Sequence, residues 1–207
     1  MLLTFTVVPL SMTAAEKFNE AAYFYDRMRE TVANLREFPF NLSAFLAAAR
    51  STTLFLQKQY SGVSRFDDWY RGKQTEMTSD PDLLTLNKLR VETVHIQPVS
   101  LTVQAGPTLP ADGVEIDGIR GGYLQLGSDP DGTITTPYRL NADMPIVNAK
   151  PRVRWLLGDE SGPDIRMVCG NGLIKIKAVL DEWYRMQPPS HAPDLSETPS
   201  PVEENGA

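Results

Sequence analysis

Residues 90–95 read Arg-Val-Glu-Thr-Val-His, and they end a predicted helix whose start is equally well marked. Ser79 or Asp80 can cap this helix, and Pro81 suits its first turn. Pro98 would stop the helix, because the residue before a proline is biased away from helical geometry. The sequence therefore predicts a helix from Pro81 to His95.

Arg90 interrupts the apolar side of this helix. At 100° per residue, it shares that side with Leu83, Leu86 and Val94. A permanent charge is costly there unless an anionic group meets it. Either an internal carboxylate pairs with Arg90, or the stripe faces a partner subunit and the charge lines a shared cleft.

Apolar periodicity predicts three further helices upstream. They cover Thr13–Arg36, Asn41 or Ser43 to about Tyr60, and Phe66–Met77. A capping box of Thr13 and Glu16 opens the first helix, and Pro39 is expected to end it. Four helices joined by short links predict an up-and-down bundle over residues 13–97.

The pattern changes after Pro98. Short alternating strands are predicted at Val99–Val103, Val114–Ile116, Tyr123–Leu126, Thr133–Thr135 and Arg152–Leu157, with a tight turn at Asp129–Gly132. A helix is expected over Ile165–Met186, where Gly170 and Gly172 weaken the first half. We therefore predict an α+β, mainly α fold in which residues 98–187 form a β-hairpin or meander and a C-terminal helix packed on the bundle. Residues 188–207 are proline-rich and acidic, and a disordered tail is expected.

The charge distribution limits the kinds of partner. The net charge is −6, which does not suggest a protein that coats nucleic acid nonspecifically. Residues 1–97 hold 11 basic and 11 acidic residues, and the remainder holds 9 and 15. The helical half is thus neutral, and RNA contact at a local cleft is permitted.

Cysteine and histidine are too scarce for the common metal sites. Cys169 is the only cysteine, and one of the two histidines lies in the expected tail. We therefore predict no disulfide framework, metal or cofactor. The apolar residues 1–10 lack a basic flank and are too few to span a bilayer, so no membrane association and a cytoplasmic location are expected.

The arginine, four residues and histidine of 90–95 resemble the signature of the HEPN superfamily, four-helix proteins that include many prokaryotic RNase toxins. The resemblance covers residues 14–97 and includes the order of the helices: a long aromatic-rich helix, a long alanine-rich helix, a short third helix and the motif helix. It implies metal-independent endoribonuclease activity at a homodimer cleft. A nucleotidyltransferase-like antitoxin is the partner that such a toxin commonly has.

The resemblance assigns catalytic roles to Arg90 and His95. Histidine can act as base or acid because its reference pKa of about 6.5 lies near working pH. Arginine supplies a planar donor fork matched to phosphate oxygens. Arg50 could add a phosphate contact or pair with Glu92, and Glu92 could orient a functional group.

A non-catalytic reading of the same residues stays open. His95 could bond a carbonyl at a helix end, Arg90 could lie in an internal ion pair, and Arg50 and Glu92 could be solvated surface charges. Val91 follows Arg90 where the family often carries a polar residue, which favours this reading. The bundle would then serve dimerisation and the recognition of a partner or nucleotide, with the β-rich segment as the recognition surface.

Overall fold

A computed structural model describes residues 12–95, 99–107, 127–135, 137–138, 147–148 and 151–187 of the chain. Its helices are α1 (Ala14–Glu30), α2 (Glu37–Tyr60), α3 (Phe66–Ser79), α4 (Pro81–His95) and α5 (Ile165–Arg185). Its strands are β1 (Leu101–Pro107), β2 (Gly127–Ser128), β3 (Ile134–Thr135), β4 (Pro137–Tyr138), β5 (Val147–Asn148) and β6 (Pro151–Leu157). The predicted α+β class, mainly α, is confirmed, and so are the bounds of α4.

Helices α1, α2, α4 and α5 form a ring around the apolar core, in which each packs against two neighbours and α2 also contacts α5 across it. Helices α1 and α2 are antiparallel, because the Ala14 N–H donates to Gln59 at one end and Asn41 donates to Thr31 at the other. Helices α4 and α5 are antiparallel too. Lys175 of α5 pairs with Asp82 of α4, and Gly172, one turn earlier in α5, lies beside Leu86, one turn later in α4.

Helix α3 lies outside this ring, although the sequence suggested that α1 to α4 would form the bundle together. Only Phe66 and Tyr70 of α3 are buried, whereas ten residues of α5 are. A helix with so narrow an apolar face can cover one side of a core, but it cannot close the core. Helix α5 therefore occupies the fourth position of the ring.

The two glycines of α5 allow close approach of its neighbours. A Cβ atom at Gly170 would lie 2.6 Å from the Tyr25 hydroxyl of α1, and one at Gly172 would lie 2.2 Å from Leu86 Cδ1 of α4. The helix runs without interruption through both positions. Packing therefore outweighs the low helix propensity that the sequence suggested for this half.

The turn between α1 and α2 corrects two predicted boundaries. Helix α1 ends at Glu30 instead of Arg36, and Pro39 lies in the first turn of α2 instead of ending α1. The Asn34 side-chain carbonyl accepts hydrogen bonds from the Arg36 and Glu37 N–H groups, both at 2.9 Å, and so starts α2 early. The predicted capping box of α1 is present.

Strands β1 and β6 pair along seven residues in an antiparallel ribbon, from Leu101 opposite Leu157 to Pro107 opposite Pro151. Trp155 of this ribbon stacks on Phe38 in the first turn of α2, with ring centroids 4.2 Å apart. We call this end of the bundle, where α1 and α4 end and α2 and α5 begin, the β end.

The predicted tight turn also packs at the β end. Gly132, whose φ is +90°, donates its N–H to the Asp129 carbonyl at 2.8 Å. The turn is joined to the α1–α2 connection by two backbone hydrogen bonds. The Leu35 N–H donates to the Gly132 carbonyl, and the Ile134 N–H donates to the Ala33 carbonyl. The predicted strands at 114–116 and 123–126 and the tail at 188–207 lie outside the described residues. None of the described helices is long and apolar enough to cross a membrane.

Candidate functional site

Helix α4 carries the predicted motif toward the β end. Asp80 caps the helix by accepting hydrogen bonds from the Asp82 and Leu83 N–H groups at 3.0 and 3.1 Å. Leu86 and Leu89 are buried and fix the face that meets the core. The last turns of the helix are thereby held at the end where the β ribbon packs.

Arg90 lies on the edge of this buried face. Its side chain is half-buried, beside fully buried Leu89 and exposed Val91. Among the residues that the structure describes, it has no ion-pair or hydrogen-bond partner. The internal carboxylate that the sequence allowed for Arg90 is therefore absent from the described part of the chain.

His95 is the last residue of α4. Its backbone continues the helix that carries Arg90, while its side chain lies outside the described residues. Five residues of α-helix place the two Cα atoms about 7.5 Å apart along the axis. The same five residues turn the side-chain direction by about 140° around the helix axis.

The two predicted substrate contacts have other partners. Glu92 forms an i,i+4 ion pair with Lys88 at 3.9 Å, and Lys88 is largely exposed. Arg50 is exposed on α2 and donates to the Thr53 hydroxyl at 3.2 Å. The structure therefore does not bring Arg50 and Glu92 together as a pair.

Arg50 stands beside a cavity that the sequence interpretation missed. The cavity has a volume of about 330 Å³ and lies between α2, α3, α4 and α5. Its lining is Leu46, Ala49, Arg50, Thr53, Tyr70, Gln74, Met77, Thr78, Leu83, Leu84, Leu86, Asn87 and Ile176. Arg90 follows Asn87 by three residues, so it lies one turn nearer the β end on the same flank of α4.

Tyr70 shows how the cavity floor differs from its rim. Burial raises the pKa of the Tyr70 phenol, and a hydrogen bond with the Thr53 side chain and the nearby charge of Arg50 offset part of that rise. The hydroxyl donates to the Thr53 carbonyl over a long 3.4 Å. The floor is thus a low-dielectric surface, while the guanidinium stays in contact with water.

Small side chains on α2 are the sequence signal for this cavity. Ala49 and Thr53 follow one another by one turn, and both are buried. Their small side chains leave space between α2 and the facing helices. The opposite wall of the cavity is formed by side chains of α3 and α4. Residue spacing within one helix could not reveal that gap.

Cys169 and the acidic residues offer no alternative site. Cys169 is fully buried, and burial together with the charge of Asp164 raises its pKa well above the usual thiol value. A thiolate nucleophile is therefore not supported. No group of three histidine, cysteine, aspartate or glutamate side chains could hold a metal ion within the described ranges.

Comparison with known proteins shows a similarity to a phage protein family. The family model described as bacteriophage lambda protein ea47 matches residues 8–93. The matched segment includes α1 to α3 and most of α4, with Arg90 and Glu92 inside it and His95 beyond its end. No curated protein and no solved structure matches the chain. The chain is thus similar to a phage protein family over its helical half.

Proposed function

We propose that this protein is a HEPN-like, metal-independent endoribonuclease of the toxin or phage-defence type. One observation carries the proposal: Arg90 is a half-buried residue with no charged partner among the described residues, on a helix that ends in His95. A charge at the edge of an apolar face, with no acid beside it in the described part of the chain, suits an anion that arrives from outside. A phosphate group of RNA fits that requirement.

The chemistry needs only these side chains. One His95 imidazole removes the proton of a ribose 2′-hydroxyl, which attacks the neighbouring phosphorus. The bond to the departing 5′-oxygen breaks, and a second imidazole protonates that oxygen. Arg90 stabilises the extra negative charge of the phosphorane through paired N–H donors. The products are a 2′,3′-cyclic phosphate and a 5′-hydroxyl.

A homodimer supplies the second imidazole in this proposal. Two outward pairs of exposed apolar residues, each seven residues apart, support a contact between copies: Leu84 with Val91 on α4, and Met167 with Ile174 on α5. Seven residues are close to two helical turns, so each pair lies on one line along its helix. Val91 is next to Arg90, which would place the contact beside the proposed site.

The similarity to a phage protein family supports a role in conflict between phage and host. In this role the enzyme acts in the cytoplasm, where RNA is available, and unopposed activity arrests growth. A neutralising partner is then needed. We propose a nucleotidyltransferase-like antitoxin, since that is the partner class that the HEPN resemblance implies.

The proposal is tested by RNA cleavage in the presence of EDTA. Purified full-length protein is incubated with a 5′-labelled single-stranded RNA, and the product ends are identified. We expect cyclic phosphate ends from the wild type and a loss of rate of about 10² or more for Arg90→Gln and for His95→Gln. The control is Arg71→Gln, because Arg71 is an exposed α3 arginine paired with Asp68. Equal cleavage by all four proteins would contradict the proposal, as would the absence of both cleavage and RNA binding.

A second candidate is a non-catalytic module for dimerisation and for partner or nucleotide recognition. The exposed apolar side chain of Val91 favours it, since it stands where the nuclease family often has a polar residue. In this case Arg90→Gln would lower the free energy of unfolding and change no activity.

A further inference from the structure

The cavity between α2, α3, α4 and α5 has an apolar floor and a polar rim. Leu46, Ala49, Leu86 and Tyr70 form part of the floor, and all four are buried. Arg50, Gln74, Thr78 and Asn87 are exposed at the rim. A ligand that matches this gradient has an apolar body and a polar head.

The charge at the cavity rim determines which sign of charge the polar head of the ligand should carry. Arg50 is the one charged side chain among the thirteen described residues that line the cavity. Its described hydrogen bond is to the neutral Thr53 hydroxyl, so no described carboxylate neutralises it. The amide groups of Gln74 and Asn87 can add N–H donors from the facing helices. The rim therefore favours an anionic head.

We propose that this cavity binds a small amphiphilic carboxylate, with an unbranched apolar chain of about ten carbons on the floor and its carboxylate at Arg50. Arg90 of the proposed nuclease site is not among the described residues that line this cavity, so the two proposals rest on different side chains. A guanidinium at the mouth of an apolar pocket binds a carboxylate through two N–H donors. The buried chain contributes through the hydrophobic effect.

The size of the cavity limits the size of the ligand. Its volume of about 330 Å³ is at the lower end of the range of small-molecule sites, about 300–1,000 Å³. Decanoate, a small ten-carbon carboxylate, is therefore the probe. The cavity opens at the rim, so the head group can stay in contact with water.

The test is isothermal titration of the full-length protein with decanoate, below its micelle concentration, beside decanol. We expect decanoate to bind the wild type at least about tenfold more tightly than decanol. Arg50→Gln should weaken decanoate binding by about tenfold or more and leave decanol unchanged. Arg71→Gln, which removes an exposed α3 arginine that is not among the described residues lining the cavity, should bind decanoate like the wild type.

A variant that fills the floor completes the test. Ala49→Met should abolish binding of both probes, because the longer side chain occupies the space of the apolar chain. A thermal melt of each variant confirms that it is folded. The proposal is overturned if decanoate does not bind the wild type, if it binds Arg50→Gln equally well, or if folded Ala49→Met binds it unchanged. RNA cleavage by Arg90→Gln and His95→Gln, measured separately, reports on the proposed nuclease and not on this cavity.

Discussion

Single residues set the chemistry of this protein through their immediate surroundings. Arg90 could be recognised in the sequence as a charge in an apolar stripe, because helix geometry alone gives its neighbours. Whether a carboxylate met it could not be predicted, since any such acid would come from another element. In the described structure Glu92 pairs with Lys88 instead, along the same helix. The residue pattern therefore located the candidate, and the described structure gives Arg90 no acidic partner.

Two glycines in helices should respond oppositely to the same substitution. Gly170→Ala should lower the free energy of unfolding by about 1–3 kcal/mol, because the new methyl group meets the rigid Tyr25 ring and forces it to move. Gly72→Ala should raise it by about 0.5–1 kcal/mol, since a Cβ there meets nothing within 4 Å and alanine favours the helix. Urea denaturation measures both. Equal effects of the two changes would contradict the packing described for α1 and α5.

Helices and strands differ in how far their own sequences specify them. The bounds of α4 were predicted correctly, because Asp80, Pro81 and the apolar repeat are local signals. The end of α1 was placed six residues too late. Residues 33–36 instead form hydrogen bonds with the Asn34 side chain and with the backbone of the 127–135 hairpin. The tight turn itself was correct. Helix bounds that depend on local capping were thus predictable from the sequence, whereas a helix end that depends on contacts with residues distant in sequence was not.

The corner between α3 and α4 is joined to α5 by one ion-pair network. Lys175 contacts Asp80 at 2.7 Å and Asp82 at 2.6 Å. Lys175→Gln should lower the free energy of unfolding by about 1 kcal/mol at neutral pH, since partial exposure screens the pairs. The reference is Lys58→Gln, which changes an exposed lysine on α2.

The effect of Lys175→Gln should also depend on pH. Burial acts to raise the pKa of Asp80, but the hydrogen bond from Lys175 and the backbone N–H donors outweigh it, so the folded pKa is lowered. A lowered folded pKa stabilises the protein above the unfolded value, and that contribution is lost as pH falls through the folded pKa. The difference between wild type and variant should therefore shrink below about pH 4. A difference that stayed constant into acid would contradict the network.

At the scale of the whole molecule, the arrangement depends on contacts that are distant in sequence. Helix α5 closes the ring although some 70 residues separate it from α4, and the ribbon of β1 and β6 packs on the α1–α2 corner. The apolar stripe of α5 predicted that it packs against the rest, yet its place in the ring depends on the narrow apolar face of α3. The width of the apolar face of each helix, more than its order in the chain, determines which helices form the ring.

Trp155 tests whether ribbon and bundle fold as one unit. Its ring stacks on Phe38, and its indole N–H donates to the Val32 carbonyl at 2.8 Å. Trp155→Phe keeps an aromatic ring but leaves that carbonyl without its donor, so we expect a loss of about 1–2 kcal/mol. Trp155→Ala should cost about 3–5 kcal/mol. Both variants should unfold in one cooperative transition by circular dichroism. A separate early transition, with the helical transition unchanged, would mean that the ribbon is not part of the core.

The proposed RNase activity is tested most directly by the ratio of the RNA-cleavage rates of wild type and Arg90→Gln in EDTA, at equal protein and saturating RNA. We expect a ratio of about 10² or more, together with a free energy of unfolding that changes by less than about 0.5 kcal/mol, because no described carboxylate loses a partner. A ratio near one, or a substantial loss of stability with no cleavage by either protein, would contradict it.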